Sequence, residues 1–353
     1  FADAGSEPPE TPLVQLLTPE GERRSHPDYD IELTDEEYRD FYRDLVLVRR
    51  IDVEATALQR QGELGIWAAL LGQEAAQVGS GRALRPQDFA FPTYREHGVA
   101  WCRDIDPIQL LSLFRGASNG GWDPNEKKFA LYTIVIGSQT LHATGYAMGI
   151  TKDGAVGDAE TGEAVIAYFG DGASSQGDVN EAFVWASVYN SPIVFFCQNN
   201  QWGISTPTAT QSRIPLYKRA EGFGFPGVRV DGNDVLASYA VTRAALDAAR
   251  TGQWPTLIEA YTYRWSGHYG PESDDLVGYR SQAELDAWKA NCPIALLEDA
   301  MKAEGMLRDA EKTEAINRID EEIGDAFRFA KSSPFPRAAI WASMNCSDRT
   351  PLA

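Results

Sequence analysis

The stretch 163–200 limits most strongly what this chain can become. It opens with the apolar, β-rich run EAVIAYFG (163–170), continues through the helical DVNEAFVWASVYN (178–190), and closes with a second apolar run, SPIVFFCQNN (191–200). Short unbroken apolar runs separated by one helix's length of sequence are what a parallel sheet buried on both faces requires. Two further runs, GVRVDG and PTLIEAYTYRW, flank a helical DVLASYAVTRAALDAARTG. The expected fold class is therefore α/β, a doubly wound, mostly parallel sheet flanked by helices. Before it, LTDEEYRDFYRDLVLVRRIDVEATALQRQG (33–62) reads as a long helix capped by Thr34 and closed by Gly62. GQEAAQVGSGRAL reads as another, and LVQLLTPEGER as a short extended arm. From SQAELDAWKA to about residue 331 the pattern is helical and acidic. The first 12 residues, rich in Pro, Glu and Ser, read as a mobile tail.

In open parallel sheets, ligands sit beyond the carboxyl ends of the strands. Asp171, held between Gly170 and Gly172, stands just past one such end, and Asn199 and Asn200 end the next strand in sequence. The 26 residues between Gly172 and Asn199 are the length of one helix and one strand, so the fold brings the two ends together. A carboxylate and an amide oxygen flanked by glycines suit a hard cation such as magnesium, which takes its remaining oxygens from phosphate and water. The helix beginning near Asp178 is expected to turn its first N–H groups toward a diphosphate, and the glycines let the backbone approach it. The glycine spacing is neither GxGxxG nor that of a Walker loop.

A net charge of −19 argues against a nucleic-acid partner. No apolar run approaches the length of a membrane span, and no leader is read at the start, which is Phe rather than Met. Cys102, Cys197, Cys292 and Cys346 are scattered and form no CxxC, which fits a reducing cytoplasm and four unpaired thiols.

Gly170-Asp171-Gly172, followed after 26 residues by Asn199-Asn200, resembles the fingerprint of thiamine-diphosphate-dependent enzymes. FPTYREHG (91–98), TIVIGSQTLHATGYAMG (133–149) and YRWSGHYGPESDDLVGYR (263–280) are similar to further segments of one family. This is the α subunit of the first, decarboxylating component of 2-oxo acid dehydrogenase complexes, of the pyruvate or branched-chain type. The resemblance covers roughly residues 13–335 and implies the diphosphate-binding half of a thiamine-diphosphate-binding fold, with a helical C-terminal extension. It implies magnesium held by Asp171, Asn200 and the backbone oxygen of Trp202, and diphosphate held by the backbone of Gly172 and Ala173. Tyr94, Arg95 and the catalytic His268 would hold the terminal phosphate, while Ile134 and Ile136 would bound the aminopyrimidine end. Residues 64–71, LGIWAALL, would wall the substrate; they carry no polar side chain, which favours a 2-oxo acid over an acetoin-type substrate. The acidic Glu272, Asp274 and Asp275 read as a solvated loop face, and the whole loop 264–280 as mobile when the site is empty.

The same resemblance implies oxidative decarboxylation of a small 2-oxo acid, with acyl transfer to the lipoyl group of a dihydrolipoyl acyltransferase. It implies a β subunit supplying the activating glutamate of an α2β2 heterotetramer. The stretches TLHA and VDGNDVLA lean the substrate toward branched-chain acids rather than pyruvate. Alternatives are an acetoin-type α subunit and an assembly subunit without catalysis, the latter opposed by the presence of Asp171, Asn200 and Arg95. The chain departs from animal relatives twice: Tyr269 follows the loop histidine where they carry a regulatory serine, and Gln198 precedes the Asn pair where branched-chain relatives carry arginine. The division expected is a tail and arm (1–32), an α/β domain (33–285) and a helical region (286–353). The long helix 34–61 and LLSLFRG are candidate subunit-interface surfaces.

Overall fold

The computed structural model describes residues 12–118, 120–270 and 278–332. The first 11 residues, Glu272, Asp274, Asp275 and Cys346 lie outside the described residues. Strands β1 (Phe89–Phe91), β2 (Val165–Gly170), β3 (Ile193–Asn199), β6 (Gly227–Asp231) and β7 (Thr256–Tyr261) form one sheet in the order β1-β2-β3-β7-β6. Every pairing in it is parallel. A small antiparallel hairpin, β4 (Trp202–Gly203) with β5 (Thr206–Pro207), follows β3.

The helices are α1 (Asp35–Arg60), α2 (Glu74–Arg82), α3 (His97–Cys102), α4 (Pro107–Phe114), α5 (Pro124–Lys127), α6 (Ser138–Lys152), α7 (Gly177–Val188), α8 (Thr208–Gln211), α9 (Arg219–Phe223), α10 (Val235–Arg250), α11 (Gln282–Ala290), α12 (Pro293–Ala303) and α13 (Asp309–Ser332). The alternation of the strands sorts them into two layers. Ile166, Tyr168, Val194, Phe196 and Ile258 point into a core shared with α1, α2, α10 and α12. Val165, Ala167, Phe169, Phe195 and Leu257 point into the opposite core, built with α6, α7 and α9. Both faces being covered, β2 and β3 carry apolar residues at successive positions, which is why they read as unbroken runs. The three-residue strand β1 was too short to be read from the sequence.

Helix α1 begins with the expected cap: Thr34 Oγ1 accepts from Glu37 N, and the Glu37 carboxylate accepts in return from Thr34 N at 2.7 Å. Its apolar side is spent inside the chain. Phe41, Tyr42, Leu45 and Val48 are buried in the first core. Leu47, Ile51 and Ala55 pack with Leu111 and Phe114 of α4 and with Ile319, Ile323 and Phe327 of α13. The faces of α1 and of LLSLFRG considered as subunit interface are therefore core, covered by the C-terminal helices. The arm extends the sheet edge instead of dangling. Val14 N donates to Arg229 O and Asp231 N donates to Val14 O, both at 3.0 Å, so the arm covers the edge of β6. No helix among the described residues is long and apolar enough to cross a membrane.

Candidate active site

The sheet register decides which side chains meet. Gly170, at the end of β2, pairs with Gln198 on β3. Asp171 therefore emerges level with Asn199 and Asn200. Thr208 Oγ1 bridges the two strand ends, 2.8 Å from Asp171 Oδ2 and 3.1 Å from Asn199 Oδ1. Beyond them opens a cavity of about 360 Å3 lined by Tyr94, Arg95, Ile136, Asp171, Gly172, Ala173, Asn200, Trp202 and His268 among others. Segments separated by up to 174 positions thus converge on one space, Tyr94 Oη and His268 Nε2 lying 3.3 Å apart. Ile134 is not part of the wall; it is 67% exposed.

One side of the cavity is acidic. Asp171 is 1% exposed, and burial pushes its carboxyl up to about 6, opposed by the hydrogen bond from Thr208. Its side-chain partners are Thr208 and, at 3.4 Å, Gln211 Nε2; among the described residues no Lys or Arg forms an ion pair with it. No group of three or more His, Cys, Asp and Glu placed to hold a metal occurs among the described residues. The donor set is instead one carboxylate with neutral oxygens, which suits a hard cation that also takes ligand and water oxygens.

The two asparagines divide the work. Asn199 is turned into the protein, where its Nδ2 donates to Glu259 Oε1 at 2.7 Å. Asn200 lines the cavity; its Oδ1 accepts from Trp202 N at 3.3 Å and its Nδ2 donates to Gln73 Oε1 at 3.2 Å. Gln201 and Ile204 adopt positive φ values of 76° and 59°, turning the chain sharply through β4 and β5. Gly203 is thereby brought against Gly172, and a Cβ on Gly172 would lie 3.2 Å from its Cα. Glycine at both positions leaves the backbone next to Asp171 open to a ligand.

The helix after Asp171 begins at Gly177, beside the expected Asp178, but not directly off the strand. A 3-10 turn, Gly172–Ser175, intervenes before α7. Gly172 and Ala173 of that turn line the cavity, whereas the first residues of α7 do not. Backbone N–H groups near the cavity therefore come from the turn. The two glycines and the small Ala173 and Ser174 allow this tighter winding directly off the strand.

The other side is basic. Arg95 is 6% exposed; its Nη1 donates to Ala69 O at 2.5 Å and its Nη2 to His268 O at 2.7 Å. Its Nη2 also lies 3.3 Å from His268 Nδ1. Guanidinium can only donate, so Nδ1 is the acceptor and the imidazole proton sits on Nε2, facing the Tyr94 hydroxyl. No carboxylate forms an ion pair with Arg95 among the described residues, and burial holds its pKa below the ordinary value. A buried cation bonded to carbonyls and an imidazole, on the wall of a cavity, is poised for an anion.

Several contributors carry no sequence signal of their own. Gln198 donates to Glu96 Oε1 at 2.7 Å and accepts from Gln77 Nε2 at 3.0 Å, a buried chain behind Arg95. Thr208 and Gln211 reach Asp171 from α8, the short helix after the hairpin, 37 and 40 positions away. The segment 64–71, expected to wall the substrate, does not line this cavity. Trp67 is 1% exposed, donates to Asp52 Oδ1 at 2.7 Å and stacks on His97 with ring centres 4.1 Å apart. The indole anchors Trp67 to Leu70 in the core, where their lack of polar side chains serves packing, while Ile66 stays 43% exposed.

A model of the family described as "Dehydrogenase E1 component" matches residues 42–339. The chain belongs to the dehydrogenase E1 component family. The 3-methyl-2-oxobutanoate dehydrogenase subunit alpha of Mycobacterium tuberculosis is 41% identical over 317 residues, covering 89% of this chain and 84% of that protein. The pyruvate dehydrogenase E1 component subunit alpha of Bacillus subtilis is 34% identical over 327 residues, covering 91% and 84%. The Staphylococcus epidermidis protein of the same description is 35% identical over 332 residues. The E1 match spans both strand ends, the cavity and all of α13.

Proposed function

We propose that this chain is the α subunit of a thiamine-diphosphate-dependent 2-oxo acid dehydrogenase that acts oxidatively on a branched-chain 2-oxo acid. One observation carries the reading. A single cavity presents a buried carboxylate, Asp171, and a buried guanidinium, Arg95, and neither has an oppositely charged ion-pair partner among the described residues. A magnesium–diphosphate group satisfies both, because its cation meets the first and its phosphate oxygens the second. Asp171, Asn200 Oδ1 and the Trp202 carbonyl would hold the cation. The backbone of Gly172 and Ala173, with Tyr94, Arg95 and His268, would hold the diphosphate.

Bound thiamine diphosphate supplies an electron-accepting thiazolium that makes decarboxylation of a 2-oxo acid possible. The chain's own residues supply positioning. Arg95 orients the neutral His268 by donating to its Nδ1, so the Nε2 proton points at Tyr94 and into reach of an anionic oxygen. Ile136 and Trp202 contribute apolar surface to the cavity wall.

A β subunit fits the same reading. Apolar side chains stand uncovered next in sequence to the cavity-lining Ile136, with Ile134 at 67% and Val135 at 71% exposure. On α7, Val184, Trp185, Val188 and Tyr189 are exposed as well. Contiguous exposed apolar surface of this kind is a mark of a subunit contact. The partner would complete the site, and the acyl group would pass to the lipoyl group of a dihydrolipoyl acyltransferase. The branched-chain preference rests on the higher identity to the M. tuberculosis protein, 41% against 34%, and agrees with the lean of the sequence.

The test is assay of the co-expressed α and β chains with 3-methyl-2-oxobutanoate, pyruvate and 2-oxoglutarate. Turnover highest with 3-methyl-2-oxobutanoate is expected; a preference for pyruvate would shift the assignment within the family. Failure of the assembled protein to bind thiamine diphosphate with magnesium would overturn it.

A further inference from the structure

We propose that Gln73 is a positioning residue of this site, selecting which atom of Asn200 faces a cation and contributing a hydrogen-bond donor for an anionic ligand oxygen. The inference rests on the reading just given and adds a residue that the expected fingerprint does not contain. Gln73 is fully buried, yet it lines the cavity. Its Oε1 accepts from Asn200 Nδ2 at 3.2 Å, while its Nε2 has no hydrogen-bond partner among the described residues. A buried amide nitrogen left unpaired is costly and calls for an explanation.

The orientation of both amides follows from the backbone. Trp202 N is a donor and lies 3.3 Å from Asn200 Oδ1, so that atom is the oxygen. The other end of Asn200 must then be its NH2, and the Gln73 atom receiving it must be oxygen. This leaves Gln73 Nε2 with hydrogens that no group among the described residues takes. The bond to Gln73 holds the Asn200 amide so that its oxygen is not exchanged for nitrogen, which would repel a cation.

Gln73 is also held in place with unusual thoroughness. The preceding Gly72 has φ +96°, and a Cβ there would lie 2.2 Å from Tyr263 O. Gly72 N donates to Glu74 Oε2 at 2.9 Å, and Gly72 O accepts from Thr262 Oγ1 at 2.9 Å. Just upstream, Leu70 N and Leu71 N donate to the buried Asp52 carboxylate, and Leu71 O accepts from Trp265 N at 2.9 Å. The turn is thus stapled to α1 and to the segment leaving β7. A side chain whose backbone is pinned from several directions, but whose nitrogen is left open beside a cavity, is preorganised for a ligand.

The experiment compares the parent assembled with its β subunit against Q73M and Q73E. Thiamine diphosphate and Mg2+ are titrated separately, each against a saturating level of the other, with intrinsic tryptophan fluorescence or calorimetry as readout. Thermal unfolding of the cofactor-free protein monitors packing. Q73M removes acceptor and donor; both affinities should fall roughly tenfold or more, with little change in the cofactor-free melting temperature. Q73E keeps the acceptor for Asn200 but not the donor. It should recover Mg2+ affinity to within a few-fold of the parent while leaving thiamine diphosphate affinity reduced. Should Q73M fail to assemble, the near-isosteric Q73E decides by this split. Parent-like values for both ligands in Q73M, or in Q73E if it alone is available, would overturn the role of Gln73 while leaving the site reading intact. So would Q73E binding Mg2+ no better than Q73M. A parent that binds neither ligand would overturn both.

Discussion

Acidification should destabilise this fold through His97, an imidazole that serves packing rather than chemistry. His97 is 2% exposed, stacks on Trp67 and lies 2.8 Å from Tyr132 Oη and 3.0 Å from Ala68 O. The carbonyl can only accept, so Nε2 carries the proton and Nδ1 accepts from the tyrosine hydroxyl. Protonating Nδ1 would place a charge in the core and destroy that bond. Burial is the main cause that pushes its pKa down to about 3; the Arg95 cation adds to the shift and the hydrogen bond to Ala68 opposes it. The folded value is below the unfolded one, so between these pKa values the unfolded chain binds the extra proton. Stability is therefore present above the unfolded pKa and lost as pH falls below it. At about 1.4 kcal/mol per pH unit, lowering the pH from about 6.5 to 5 removes roughly 2 kcal/mol through this group alone. His97→Gln retains one donor and one acceptor without a titrating group. It should cost about 1–2 kcal/mol at pH 8 from lost stacking, and should flatten the acid side of the profile. Denaturant midpoints of parent and variant between pH 8 and 5 give the difference slope. NMR of 13C-labelled histidine in the α chain, which has four histidines, follows the ring directly. A His97 resonance titrating near pH 6.5, or a variant with the parent's acid slope, would refute the reasoning.

Three further outcomes are expected. Asp171→Asn should weaken magnesium-dependent cofactor binding on the order of 100-fold by calorimetry. It should leave the melting temperature of the cofactor-free protein unchanged or higher, because the carboxylate removed is buried and forms no ion pair among the described residues. Gly72→Ala should cost more than about 3 kcal/mol in denaturant unfolding, since its methyl carbon meets Tyr263 O at 2.2 Å and Trp265 Cδ1 at 2.6 Å at φ +96°. Val188→Asp, at a position 73% exposed on α7, should leave the fold of the chain intact but reduce its association with the β subunit, measured by light scattering.

Much of this architecture was legible because it depends on short-range pattern. The apolar runs of β2 and β3, the capping box at Thr34 and Glu37, and the glycines around Asp171 are statements about neighbours in sequence. So was the pairing of Asp171 with the asparagines, since one helix and one strand of fixed length separate them. The failures have a common cause. LGIWAALL has no polar side chain whether it walls a substrate or packs a core, and only the stacking of Trp67 on His97 distinguishes the two. The apolar side of α1 looks the same whether another subunit or the chain's own α13 covers it.

By itself the sequence determined the α/β class, the strand ends that carry chemistry, and the residue types able to meet a cation and an anion. Local propensity and spacing suffice for those, because strands alternate and helices have a fixed rise. Tertiary structure alone decided the bonds that fix these groups: Asn199 to Glu259, Arg95 to His268, and Asn200 to a Gln73 whose nitrogen is unpaired among the described residues. These depend on which side chain a buried hydrogen bond claims first. That competition is settled among groups 60 to 173 positions apart, once burial has made every unmade bond expensive.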